Sequence, residues 1–250
     1  MDLTWQGAQS RESFYESVVA HRDHLADAAR NGDWDRVFAM ITEPEYANST
    51  RLGGPSGFAP LHQAAWFGAP AEVADRLVAL GAWRTLRTSA GDTPADIAAA
   101  AGDEHLRRSL TPRLFRAVAP PELAQLEAQL HALILGRVYE LCRKVRYRPP
   151  QLGPLLEYSN QRMWAPIPGM YGGFAIEFAA EGELVVESWS RVSGGSGQRH
   201  RVRRNGFELV EESRDDRRGV SDEEAHSGWG DKERPAAYHE GTGGSVDGRA

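Results

Sequence analysis

The chain has 250 residues, of which 41% are hydrophobic and 26% are charged, a composition typical of globular proteins. Its formal net charge of −6 argues against general affinity for nucleic acid, which requires clustered Lys and Arg, so we expect no nucleic-acid partner. No run of about 18 apolar residues occurs, and residues 1–10 lack the basic start and apolar core of an export signal, so we expect a cytoplasmic protein without membrane contact.

The first predicted element is a helix over about residues 13–31. Ser13 and Glu16 fit a capping box, apolar residues follow at helical spacing, and Gly32 ends the helix. The end of this helix recurs twice, because three segments align and their final glycines are 36 and 34 residues apart. The aligned segments are 25–32 (LADAARNG), 61–68 (LHQAAWFG) and 95–102 (ADIAAAAG).

Residues 59–65 read Ala-Pro-Leu-His-Gln-Ala-Ala and closely match the Thr-Pro-Leu-His-x-Ala signature of an ankyrin repeat. With a period of about 33 residues, residues 11–117 resemble a short ankyrin-repeat stack of about three repeats. The resemblance implies helix pairs that stack side by side and a function in binding other proteins. Ala59 departs from the signature, because Pro60 still begins the helix but the hydroxyl cap is missing.

The resemblance also implies which residues contact a partner. Phe58, Trp66 and Phe67 would form an aromatic anchor, and aromatic residues and arginine are enriched among binding hot spots. The alternative is that the second half of the chain covers these aromatic residues, and the solvent exposure of Trp66 separates the two interpretations. The residues implied for the concave face are Arg30, Asn31, Phe58, Trp66, Phe67, Arg84, Arg87, Ser89 and Asp92.

Residues 118–212 are predicted to form a long helix followed by an antiparallel β-unit. Pro120 begins a helix whose apolar residues keep helical spacing to about Arg146. Four strands follow, and Asn205-Gly206 between the last two favours a type I′ hairpin. The expected strands are 174–179, 184–192, 199–204 and 207–212.

The third of these strands carries a basic run, residues 199–204. With the two-residue hairpin loop, Arg203 lies opposite Glu208 and Arg199 lies opposite Glu212. Opposite charges at such positions stabilise a strand pair. We therefore expect the basic run to be neutralised across the hairpin rather than to bind an external acidic partner.

The loop before the basic run is rich in glycine and reads Ser193-Gly-Gly-Ser-Gly-Gln-Arg-His200. Its N–H groups could form an anion-binding nest, although the segment is not a Walker A sequence. The alternative is a plain hairpin connection. An enzyme built around this loop would require a pocket that holds Arg199, His200 and Tyr171 together. The candidate anion-binding residues are Gly194, Gly195, Gly197, Arg199 and His200.

Cysteine and histidine supply no catalytic or metal-binding constellation. Cys142, the only cysteine, lies on the apolar stripe of the long helix, about 16 Å along the helix from His131, so these two cannot form a catalytic pair. In ankyrin repeats a histidine at the position of His62 hydrogen-bonds backbone between adjacent turns, which is a structural role. His21 and His24 have metal-ligand spacing without a third ligand nearby. We expect no catalytic residue, metal or cofactor.

The predicted fold class is α+β: a short ankyrin-repeat helical stack (11–117), then a long helix and a small antiparallel β-meander (118–212). Residues 1–10 are expected to be a separate N-terminal segment. Residues 213–250 have too few apolar side chains to repay ordering, so we expect a disordered tail.

Beyond the repeats, residues 22–212 are similar to a group of bacterial ankyrin-repeat proteins that carry Pro-Gly-Met-Tyr-Gly-Gly-Phe and Ser-Gly-Gly-Ser-Gly-Gln-Arg-His segments in a C-terminal β-unit. That resemblance implies no established activity. We expect a non-enzymatic module that binds a protein partner through the ankyrin concave face, the β-unit, or both. The alternative is an immunity-type inhibitor or a small enzyme in which the β-unit acts and the helical stack targets or supports it.

Overall fold

The computed structural model describes residues 3–179, 182–191 and 196–214, and these residues form an α+β fold. They contain eight α-helices and one six-stranded sheet. None of these helices is both long enough and apolar enough to cross a membrane. Residues 215–250 of the predicted tail lie outside the described ranges.

Six of the helices form three consecutive pairs in the first half of the chain. The pairs are α1 (Glu16–Arg30) with α2 (Trp34–Met40), α3 (Pro60–Trp66) with α4 (Ala71–Ala79), and α5 (Pro94–Ala101) with α6 (Arg107–Leu110). The helices of each pair pack against each other, and α3 also contacts both α1 and α5. The first helices of the three pairs therefore form one continuous layer.

The same corner follows the first helix of every pair. At each corner a glycine with positive φ precedes a residue whose N–H donates to the carbonyl five positions earlier, which closes the helix end. The glycines are Gly32 (φ 69°), Gly68 (φ 55°) and Gly102 (φ 81°), and the bonds run from Asp33 to Ala28 (3.0 Å), Ala69 to Ala64 (3.0 Å) and Asp103 to Ala98 (2.9 Å). The aligned sequence segments thus share one local geometry.

The second half begins with the long helix α7 (Pro120–Lys144), which starts at the proline that predicted it. Its apolar residues Leu126, Leu130 and Ile134 are buried. The helix is less regular than the spacing predicted, because Val138 has non-helical angles (φ −141°, ψ 37°). A short helix, α8 (Gly153–Leu156), follows it.

The sheet contains two strands more than the four that were predicted. It consists of β1 (Leu3–Thr4), β2 (Arg162–Ile167), β3 (Gly172–Phe178), β4 (Leu184–Ser190), β5 (Ser196–Arg203) and β6 (Gly206–Arg214). The strands are adjacent in chain order, with β1 parallel to β2 and every other pair antiparallel. The β-unit is therefore an antiparallel meander extended at one edge by the N-terminal strand.

The structure differs from the predicted boundaries at both ends of the sheet. Within the N-terminal segment 1–10, residues 3–4 form β1 and join the sheet, and a strand of two residues is too short to show alternation. β2 was not predicted, because it contains Pro166 and proline is rare inside strands. At the other end β6 continues to Arg214, two residues into the predicted tail.

The last hairpin differs from the predicted register by two residues, because its loop begins one residue earlier. Its loop is Arg204-Asn205, and neither residue has the positive φ that a type I′ turn requires. Arg201, rather than Arg203, consequently lies opposite Glu208, and a β-bulge shifts the pairing further along the strand. Both arginines still reach Glu208, at 3.6 and 3.0 Å. Neutralisation of the basic run is therefore retained with different pairs.

Two hydrophobic cores meet at the junction between the halves. One lies among the helix pairs and includes Leu61 and Leu77, and the other lies between the sheet, α7 and the N-terminal segment. Trp83 and Leu86, which follow the second helix pair, belong to the second core together with Trp5. The beginning of the turn after α4 is therefore packed inside the molecule.

Candidate functional site

Three aromatic side chains cluster at the end of α3, and we call Phe58, Trp66 and Phe67 the aromatic surface. Trp66 is the last residue of the helix, Phe67 caps it, and Gly68 then turns the chain away. Trp66 is 64% exposed and Phe67 is 49% exposed, whereas Phe58 is half-buried. The rings of Phe58 and Trp66 pack edge to face with centroids 6.2 Å apart, so the half-buried Phe58 ring contacts the exposed Trp66 ring.

The exposure of Trp66 decides between the two interpretations of these aromatic residues. A side chain of this size that is 64% exposed is not covered by the described residues of the second half. Large aromatic side chains are usually buried, and a patch of adjacent exposed aromatic side chains often marks an interaction site. The structure therefore leaves the aromatic surface open to solvent.

The equivalent positions of the other helix pairs extend this surface. Arg30 and Asn31 stand at the end of α1, directly before its corner glycine, and both are exposed. The corresponding positions at the end of α5 are the exposed Ala100 and Ala101. The aromatic pair thus has a cationic and polar neighbour on one side and small apolar residues on the other.

Arg84 and Arg87 do not belong to this surface, which corrects the prediction made for them. The Arg84 side chain donates through Nε to the Ser109 carbonyl at 2.7 Å. The Arg87 guanidinium forms an ion pair with Glu127 of α7, and the Arg87 backbone exchanges two hydrogen bonds with the Gln151 side chain, at 2.8 and 3.0 Å. Both arginines connect the turn after α4 to distant residues of the chain, Arg84 to Ser109 and Arg87 to Glu127 and Gln151.

A half-buried carboxylate completes this junction. Glu157 accepts hydrogen bonds from the Thr85 N–H (2.8 Å), the Thr85 hydroxyl (2.6 Å) and the Arg84 N–H (3.3 Å). Burial raises the pKa of Glu157, and the donated hydrogen bonds oppose that shift. The Arg84 N–H and the polar groups of Thr85 are therefore satisfied within the chain.

Sequence reasoning missed the acidic side of this junction, although one signal was present. Glu127 lies on the apolar stripe of α7 between Leu123 and Leu130, at helical spacing from both. A carboxylate at such a position is buried with the stripe and requires a cation, which Arg87 supplies. The remaining predicted residues, Ser89 and Asp92, are exposed and lie at the same turn.

His62 has the structural role that was predicted for it. Its Nδ1 accepts from the Ala59 N–H at 3.2 Å, and its Nε2 donates to the Leu86 carbonyl at 2.9 Å, so the ring links two successive turns. The side chain is fully buried, and burial lowers its pKa to about 4. A neutral imidazole whose two nitrogens both form hydrogen bonds within the chain is unsuited to catalysis or metal binding.

The predicted anion-binding loop is not assembled as a single site. Gly194 and Gly195 lie outside the described residues, and Gly197 and Arg199 occupy alternate positions of β5 on the opposite face from His200. Arg199 lies opposite Glu211 and not opposite Glu212 as predicted. It forms an ion pair with Glu187 at 3.5 Å, beside an open groove of about 170 Å³.

The three residues required for an enzyme around this loop are also separated. Arg199 is exposed on the outer face of the sheet, while His200 is buried on the inner face. Tyr171 lies in the turn between β2 and β3 and is exposed. Cys142 offers no nucleophile, since it is buried and burial raises its pKa to about 11. These residues therefore do not form the catalytic pocket that the enzyme hypothesis needs.

No family model matches the chain, and no curated protein matches it. What can be said of its function consequently rests on its own residues and their geometry.

Proposed function

We propose that the protein is a non-enzymatic interaction module that binds a protein partner through the aromatic surface. The observation that carries the proposal is the exposure of Trp66, at 64%, next to the half-exposed Phe67 in an otherwise well-packed layer of helices. Tryptophan is among the residues most enriched at binding hot spots, and arginine, supplied here by Arg30, is another.

The helix pairs support an ankyrin-type scaffold for this module. The recurrence of one corner geometry after α1, α3 and α5 is what a stack of related repeats requires. The bonds of His62 to two successive turns agree with the role that this histidine has in ankyrin repeats. On this proposal, the ends of the first helices form the face that meets the partner in the cytoplasm.

The size of the effect can be worked from the exposed area. Burying the exposed parts of Trp66 and Phe67 would remove on the order of 200 Å² of apolar surface from water, a gross gain of about 5 kcal/mol. Association costs consume part of this gain, so the two aromatic residues would contribute most of a moderate affinity. Truncating either to alanine is expected to cost about 2 kcal/mol of binding free energy or more.

The test is affinity purification from the source cell, with captured proteins identified by mass spectrometry. Wild type is compared with Trp66→Ala and Phe67→Ala, and the matched control is Phe115→Ala. Phe115 is 66% exposed but lies in the connection before α7, away from the aromatic surface. We expect the first two variants to lose a partner that the control retains. An identical set of partners for all four proteins would refute the proposal.

A further inference from the structure

The two edges of the sheet differ in length. At one edge β1 has two residues, whereas at the other edge β6 has nine. Within the described residues β6 pairs only with β5, so the other side of its backbone carries a row of N–H and C=O groups that no strand meets. Such a row is a template on which an added strand forms hydrogen bonds.

β6 lacks most of the features that keep an edge strand from pairing. Proteins protect their sheet edges with very short strands, with proline or lysine in the edge strand, or with β-bulges. β1 is protected by its shortness. β6 is long and contains neither proline nor lysine, and its one protective feature is a β-bulge at Val210, which has no partner in β5. Most of its length can therefore accept another strand.

The apolar inner face of the sheet continues onto β6, where it loses its cover. On β5, Val202 is fully buried and His200 is 7% exposed. Their partners on β6 are Phe207 and Leu209, which lie on the same face and are 44% and 49% exposed. The Phe207 ring packs edge to face on His200, with centroids 6.1 Å apart. A strand beside β6 would therefore cover these two side chains if it carried apolar residues on this face.

The outer face of β6 carries an unpaired carboxylate. Glu208 lies opposite Arg201 and forms an ion pair with it at 3.6 Å. Glu211 lies opposite Arg199, but Arg199 pairs with Glu187 instead. Within the described residues Glu211 is exposed and forms neither an ion pair nor a side-chain hydrogen bond. Opposite charges on neighbouring strands attract, so this face favours a basic side chain on the added strand.

Charge also argues against two nearby candidates for the added strand. In the fully overlapped antiparallel pairing of two copies of β6, Glu208 of one copy would lie opposite Glu212 of the other, and Leu209 would lie opposite Glu211. Like charges at such positions are destabilising. Residues 215–250, which follow β6, contain nine acidic and five basic residues, so their net charge has the wrong sign. A segment of another protein fits the edge better.

We propose that the free edge of β6 binds an extended segment of a partner protein in which basic and apolar side chains alternate. The apolar side chains cover Phe207 and Leu209 on the inner face, and a basic side chain pairs with Glu211 on the outer face. Backbone hydrogen bonds along β6 supply the affinity, and the alternation of side chains supplies the selectivity. The site is independent of the aromatic surface, which lies on the helix pairs.

The experiment is an NMR titration of the full chain that follows its backbone amides, with synthetic peptides as long as β6. The basic probe alternates Arg and Val, and the acidic probe alternates Glu and Val. A third probe keeps every Arg but carries proline in place of valine, so it has the same charge and cannot form the strand ladder. We expect saturable shifts in β6 and β5 with the basic probe, and binding at least about ten-fold weaker for the other two.

Two variants with matched controls locate the contact. Glu211→Lys should weaken binding of the basic probe by about ten-fold, because it reverses the unpaired charge, whereas Glu104→Lys makes the same change at an exposed position before α6 and should have no effect. Leu209→Ala should weaken binding by about three-fold or more, because it removes an apolar contact. Leu114→Ala, at a residue that is 45% exposed in the connection before α7, should leave binding unchanged.

The proposal is overturned if the basic probe gives no saturable shift, if either of the other probes binds as tightly, or if the shifts lie outside β5 and β6. Hydrogen exchange of the peptide-free chain tests the remaining occupants. Fast exchange of the outward-facing β6 amides supports an open edge. Slow exchange shows that the edge is already filled, by a second copy if sedimentation shows a dimer or by residues 215–250 if it shows a monomer, and either result overturns the proposal.

Discussion

Replacing Trp5 with alanine should be among the most destabilising single changes in this protein. Trp5 is 1% exposed and lies between the two halves of the chain. Its ring stacks on Trp83 with centroids 6.2 Å apart and planes 7° apart, and the Arg148 guanidinium lies 5.3 Å from the ring centroid. Its indole N–H donates to the Arg148 carbonyl at 2.7 Å. The substitution Trp5→Ala removes all of these contacts.

The magnitude follows from the burial. An indole removed from water hides on the order of 200 Å² of apolar surface, worth about 5 kcal/mol, and Trp→Ala changes in cores cost about 3–5 kcal/mol. We therefore expect a loss of about 4 kcal/mol in the free energy of unfolding, a large part of the roughly 5–15 kcal/mol of a typical domain. In a chain of this size the midpoint temperature should fall by about 10 °C.

The assay is differential scanning calorimetry of the full chain, with Trp66→Ala as the control. Trp66 is the same residue type in an exposed position, so its replacement should change stability by only about 0.5 kcal/mol. Because Trp5 stacks on Trp83 and so holds the turn after α4 in the second core, the variant should also show a broader transition or two separate ones. The reasoning is refuted if both variants unfold alike, or if Trp5→Ala costs less than about 1 kcal/mol.

Three further predictions concern His62, Gly7 and Gly136. Burial lowers the pKa of His62 to about 4, so between pH 6.5 and 4 the unfolded chain binds a proton that the folded chain refuses, and stability falls as the pH falls. Denaturant titrations at pH 7 and pH 4.5 should show a loss of up to about 3 kcal/mol from this residue, and His62→Gln should have a shallower pH dependence; equal slopes would contradict the assignment. Gly7→Ala should cost about 1–3 kcal/mol, since its Cβ would lie 2.3 Å from Tyr147 Cε2 and 2.7 Å from the Arg148 carbonyl oxygen. Gly136→Ala, in a helix and without neighbours, should instead stabilise the protein by about 0.5–1 kcal/mol, and thermal unfolding of the two variants compares them directly.

The local elements were predictable because their signals are local. Pro60 and Pro120 begin helices where the sequence predicted them, and the three aligned glycines adopt the positive φ that helix ends of this kind need. Buried alanines at matching positions of α1, α3 and α5 follow from the same alignment. Such features depend on a few neighbouring residues, so they can be inferred without knowing how the halves pack.

The role of each candidate site residue depended on contacts between distant parts of the chain. Arg87 looked like a partner-binding residue until the structure placed Glu127, from a helix forty residues further on, against it. The register of the last hairpin moved by two residues because the loop is Arg204-Asn205, and this shift keeps each side chain on its face but changes which charges lie opposite each other. Neither outcome could be read from local propensity.

The sequence by itself determined the α+β class and the helix corners, because spacing and backbone preference suffice for these, and the structural role of His62 was implied by the ankyrin resemblance. Only the tertiary structure decided that Trp66 stays exposed while Arg84 and Arg87 make contacts within the chain. The physical reason is that exposure and pairing are set by which surfaces the two cores bury against each other. That outcome depends on the long-range packing of Trp5 and Trp83 at the junction.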